Sequence, residues 1–230
     1  MKQSNSQVKD ARKMASELGA EIQSLEQELR SASTHFHLFT VLRDSIAESK
    51  TAFAKSPLFW DFTRHAHLQA SVMSVCRLYD EHPSGSHFSH LLEDIQTNLP
   101  IFDRECFWQQ HDDTFVKRML EPKGQRPSDA QLKRDIEFCS VKNPLVATLK
   151  KWRGNSIAHK NRRIILGRSA FLKNDPLMIK DLQKLIEEGY TILNYYSKSF
   201  EGRVFESFPQ EQLNDYQRAL RILIQHGRKE

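Results

Sequence analysis

The sequence predicts an all-α fold, a helical bundle with a long N-terminal helix, and three observations carry that expectation. Apolar residues recur at steps of three and four along most of the chain, the period of one face of an α-helix. Gly and Pro number only eight each in 230 residues, few for a fold built on many tight turns. One β-branched run is present, R-I-I-L at Arg163–Leu166, and it reads equally as a helix end or a small edge segment.

The first element carries Val8, Ala11, Ala15, Leu18, Ile22, Leu25 and Leu29, continued by Ala32, Phe36 and Phe39. That is a heptad seam on a long helix over residues 1–36, with Gly19 as its weak point. Two uses of the seam stay open: packing into its own domain, or contact with a second chain.

Ser56-Pro57 signals the next helix, Ser56 as cap and Pro57 in the first turn, running to about Tyr79 with Leu58, Phe62, Leu68, Val72 and Val75. E-H-P-S-G-S at Glu81–Ser86 is a turn, followed by a short helix around His87–Gln96. Pro100 opens a segment through about Leu120, and E-P-K-G-Q-R-P-S at Glu121–Ser128 is the clearest loop. Ala130–Phe138 reads as helix. Asn143-Pro144 starts a helix through a basic stretch, Asn174-Asp175-Pro176 starts one to about Phe200, and Pro209 opens the last. Short loops favour up-and-down neighbours. One domain over residues 1–230 fits this pattern.

Composition bounds function. Charged residues are 27% and the net charge is +5, compatible with an anionic partner without requiring one. Cys76, Cys106 and Cys139 form neither a CxxC knuckle nor an even disulfide set. His82, His87 and His90 match no zinc spacing, and His65 and His67 point to opposite sides of a helix. No metal and no cofactor is therefore expected. No glycine-rich phosphate loop or nucleophile elbow is present. The start, MKQSNSQVKDARK, lacks the apolar core of a signal peptide, and no apolar run approaches a membrane span. The expected location is the cytoplasm.

The most informative stretch is Lys150–Arg163, K-K-W-R-G-N-S-I-A-H-K-N-R-R, with six Lys/Arg, no acid and one histidine. Histidine moves protons near neutral pH, and arginine grips phosphate and stabilises developing charge. On a helix, Asn155, His159 and Arg163 share a stripe. Arg153 and His159 are six apart, about 9 Å along the axis and roughly 240° around it, so they do not stack. Gly154 is where such a helix can loosen. Arg77 and Asp80, three apart, are expected to form a structural ion pair in preference to serving a cleft.

W-R-G-N-S-I-A-H resembles the signature of the HEPN superfamily, an arginine followed four to six residues later by a histidine. Phe59–Glu81, with its run Arg77-Leu78-Tyr79-Asp80, looks like the helix preceding that motif in the AbiU-type abortive-infection branch, and His87–Leu92 resembles the short helix after it. The resemblance covers about Leu38 to Phe200. It implies a helical bundle that dimerises, with the motifs of two protomers meeting in a cleft. It further implies a metal-independent endoribonuclease of toxin–antitoxin or anti-phage type, with RNA as substrate and an antitoxin protein as a further partner. His159 would be general acid or base, Arg153 would stabilise the phosphate, and Asn155 would orient. Lys150, Lys151, Lys160, Arg162 and Arg163 would guide the RNA backbone. Catalytic members usually carry Asn, Asp or His directly after the arginine, where this chain has Gly154. The alternative is a non-catalytic HEPN module that binds RNA or a partner protein.

Overall fold

The heptad seam becomes one continuous helix. The computed structural model describes residues 5–82, 85–103, 126–154, 176–207 and 210–227. Helix α1 runs Asn5–Glu48, past the expected end at residue 36. Its 44 residues span about 66 Å at 1.5 Å each. Leu18, Ile22, Leu25, Leu29, Ala32, Phe39 and Leu42 on its seam are buried. They are covered by the chain itself, by α3 (Pro57–Leu78) and α7 (Ile179–Glu201). Of the two uses left open, the seam serves packing within the protein.

The remaining elements are α2 (Lys50–Phe53), α4 (Phe88–Thr97), a 3-10 turn (Leu99–Phe102), α5 (Asp129–Cys139), α6 (Pro144–Trp152) and α8 (Gln210–Gly227). No strand occurs among the described residues. Arg163–Leu166 and most of the Pro100–Ser128 segment lie outside them. The main core joins α1, α3, α4, α5, α6 and α7. A smaller one, with Leu42, Phe53 and Leu220, ties the end of α1 to α2 and α8. No described helix is long and apolar enough to cross a membrane.

Local chemistry sets the helix ends. Ser128 and Asn143 accept the backbone N–H of Gln131 at 3.2 Å and of Leu145 at 3.0 Å, starting α5 and α6. At α3 the proline signal holds, but the Ser56 hydroxyl makes no capping bond. Proline already lacks the N–H and presets the backbone. Helix α7 starts at Ile179, three residues later than the proline predicts. The cap in use is Asp181, whose carboxylate accepts the Met178 N–H at 3.1 Å. Gly202 ends α7 in the left-handed region, φ 71°.

Helix α3 departs from its expected facing. Leu58, Phe59 and Phe62 are 60–72% exposed, whereas Trp60 turns inward, its ring edge-on to Phe53 at 5.2 Å. Leu58, Phe62, His65, Gln69 and Val72 follow steps of four and three, so one stripe of α3 runs from an exposed apolar end to a buried one. Periodicity locates such a stripe without saying what covers it.

The α1–α3 contact also holds a histidine pair, His35 Nδ1 to His67 Nδ1 at 3.0 Å. Burial, and secondarily His35, hold the His67 pKa below its ordinary 6.5. The folded state therefore binds fewer protons than the unfolded state. This contribution is complete above the unfolded pKa and is lost as pH falls below about 6.5 towards the folded value. Urea midpoints should drop between pH 7.5 and 5.5, and His67→Gln should flatten that drop. An unchanged slope in the variant would remove this histidine from the acid response.

Candidate functional site

Helix α6 delivers the motif arginine. Asn143 and Pro144 start it, and Val146 and Leu149 bury one face. Lys151 is exposed. At Arg153 and Gly154 the helix widens into a π-helical turn, a feature common at functional sites. A Cβ built on Gly154 meets nothing within 4 Å. Among the described residues, crowding therefore does not require glycine there.

The end of α3 receives that arginine. Tyr79 is buried, its hydroxyl donating to the Leu185 carbonyl at 2.7 Å and its ring 5.3 Å from Phe88. Helix α3 stops at Leu78, so Asp80 and Glu81 leave the helical path and face α6. Asp80 Oδ1 pairs with Arg153 Nη1. Lys150 Nζ lies 2.6 Å from Glu81 Oε1. Arg77 pairs across to Glu28 on α1 at 2.5 Å. The expected Arg77–Asp80 pair does not form, because three-residue spacing brings side chains together only inside a helix.

The electrostatics are those of a held cation at the surface. Arg153 keeps 37% of its side chain exposed and Asp80 keeps 20%. A guanidinium has five N–H donors in a planar fork. One arm engaged by Asp80 fixes the plane and leaves donors for an anion. Cys76 lies beside this pair, and burial pushes its thiol up to about 12 against the pull of Arg153. It is an inert core thiol, not a nucleophile. Asp80 and Glu81 are both committed to cations, so neither is offered to a metal here.

Next to the pair lies a hollow of about 460 Å³ lined by His65, Leu68, Val72, Trp152, Met178 and Ile179. Met178 and Ile179 are 48% and 38% exposed. Three of its lining residues, His65, Gln69 and Val72, belong to the same α3 stripe as Leu58 and Phe62, and a fourth, Trp152, directly precedes Arg153 in sequence.

Arg153, Lys150 and Lys151 thus sit together on α6, with Lys150 engaged by Glu81. Asn155, His159, Lys160, Arg162 and Arg163 lie outside the described residues. Spacing alone did not identify Asp80 or Glu81 as partners of the motif. The Arg-Leu-Tyr-Asp run held the signal, an acid just beyond a helix end marked by a buried tyrosine.

A family model, HEPN_AbiU2 (AbiU2), matches residues 15–220, a wider span than the Leu38–Phe200 of the motif resemblance. No curated protein and no solved structure matches the chain.

Proposed function

We propose, from the premise that the chain belongs to the HEPN_AbiU2 family of abortive-infection type, that it is a metal-independent endoribonuclease of toxin or anti-phage defence. The observation that carries this reading is Arg153, placed on a π-helical turn and aimed by Asp80. In the proposed reaction the RNA 2′-hydroxyl attacks the adjacent phosphorus. His159 takes or returns the proton, and Asn155 orients it. Arg153 donates to the equatorial oxygens as negative charge builds. The 5′-oxygen leaves with a proton, giving a 2′,3′-cyclic phosphate and a 5′-hydroxyl. General acid–base help is typically worth 10²–10⁴-fold. Lys150, Lys151, Lys160, Arg162 and Arg163 hold the backbone.

The active form in this reading is a homodimer. The exposed stripe of Leu58, Phe59 and Phe62, continued by the hollow at Trp152, supplies apolar surface that one chain leaves open. In this reading a second copy covers that surface.

The test is cleavage of total RNA and tRNA by purified protein in EDTA, wild type beside His159→Ala. Cleavage by wild type alone, leaving cyclic phosphate ends, supports the reading. No cleavage by either, with both proteins folded and dimeric, overturns it in favour of the second reading, a non-catalytic module that binds RNA or a partner protein. That reading is favoured by one observation: Gly154 stands directly after the motif arginine in place of a polar residue. It predicts salt-sensitive RNA binding that survives His159→Ala and weakens when Arg162 and Arg163 are removed.

A further inference from the structure

Away from the arginine motif, α4 and α1 bring together three metal-ligating side chains. His90 and Asp94 are four apart on α4 and share a face. Glu21 meets them from α1. The potential ligand atoms of Glu21, His90 and Asp94 all lie within 4.8 Å of one another. His90 Nδ1 is 3.2 Å from Glu21 Oε1. The three residues line a cavity of about 410 Å³, whose wall also holds Glu17, Ser24 and Ser86. Sequence spacing shows only the α4 half, because Glu21 is 69 residues before His90.

A second observation separates this cluster from an ordinary acidic surface. The Glu21 side chain is 11% exposed, and its Oε1 is sealed from solvent without a hydrogen bond. Two carboxylates are thus held near each other, one of them dry, with no Lys or Arg among the described residues of the cavity wall. Leaving such a carboxylate oxygen without a partner is costly.

We propose that Glu21, His90 and Asp94 bind one divalent transition-metal ion, of the zinc or manganese kind, between α1 and α4. One imidazole nitrogen with two carboxylates suits these ions, whereas Mg²⁺ and Ca²⁺ prefer all-oxygen sets. Ligand atoms on one tetrahedral ion stand about 3.3 Å apart at metal–ligand distances near 2.0 Å, so the spread of the three needs only side-chain adjustment. Exposed Asp94 has that freedom. The ion would clamp α4 to α1 and leave open positions towards the cavity for water. His87 takes no part: its Nδ1 accepts the His90 backbone N–H at 3.1 Å and its Nε2 lies 3.1 Å from the His82 carbonyl. The site is independent of the cleavage reading.

The experiment is calorimetric titration of the full chain, stripped with EDTA and then dialysed free of it, with Zn²⁺ and separately with Mn²⁺ and Mg²⁺. Wild type should take up one equivalent of Zn²⁺ or Mn²⁺ with higher affinity than Mg²⁺. His90→Gln and Asp94→Asn, both at exposed side chains, should each weaken that step at least about 10-fold with unchanged far-UV circular dichroism. His67→Gln, at the other histidine pair, should leave it intact. Absence of a saturable step, its survival in either α4 variant, or its loss in His67→Gln overturns the proposal.

Discussion

Asp80→Ala is expected to lower RNA cleavage by about 100-fold, the loss that follows when a catalytic group is misplaced by about 1 Å. In the proposed reaction Asp80 is a positioning residue that acts through its ion pair with Arg153. Without it the guanidinium keeps its charge but loses the plane in which the fork points. The loss should therefore fall on kcat, with KM for a short oligonucleotide nearly unchanged. Asp80→Glu, which keeps the carboxylate, should recover part of the rate. Arg153→Ala should cost about 10²–10³-fold by removing the donor itself. The double variant should be no slower than Arg153→Ala, because Asp80 acts only through that arginine. A structural role for Asp80 would instead give additive losses with a matching fall in stability. Little fall is expected, since the pair is partly exposed and such pairs contribute about 0–1 kcal/mol.

The second large effect is on folding. Tyr79→Ala should destabilise the protein by about 3–5 kcal/mol, the usual range for truncating a large buried aromatic. That is a large part of a typical total of about 5–15 kcal/mol. The ring is fully buried between Phe88 and Phe138. Tyr79→Phe keeps the packing and loses the bond to the Leu185 carbonyl, so it should cost about 0.5–1.5 kcal/mol. Urea unfolding of the two variants separates these contributions. Equal costs would show that packing does not dominate. Tyr79 is also what turns Asp80 towards α6, so Tyr79→Phe should retain cleavage if the ring, rather than the hydroxyl, sets that direction.

Much of this architecture was legible in the sequence. The α3 and α6 starts were carried by Ser56-Pro57 and Asn143-Pro144, where proline and a capping residue act locally. The burial of Leu18 to Leu42 was legible as a face, but which surface would cover it was not. The exposed Leu58 and Phe62 show the same limit in reverse. The start of α7 was misplaced because a proline signal competed with Asp181, an equally local cap three residues inside the helix. Of the candidate site, Arg153 was found by its motif. Its partner was not, because Asp80 lies 73 residues earlier and its neighbours in sequence suggested Arg77. Ion pairs between distant elements leave no period or spacing to read.

The burial of the α1 seam has a consequence for the order of events on the ribosome. Leu18 to Ala32 are covered by α3 and in part by Leu182 to Phe200 on α7, so the seam is fully closed only once residues made about 160 positions later have arrived. Until then the part of the seam that α7 covers is an open apolar edge, the kind of surface that recruits chaperones. Its closure is a late, long-range step of high contact order. Arg153 emerges before that step is complete, and Tyr79 can reach the Leu185 carbonyl only afterwards. The Tyr79 anchor beside Asp80 is therefore completed only after α7 has been made.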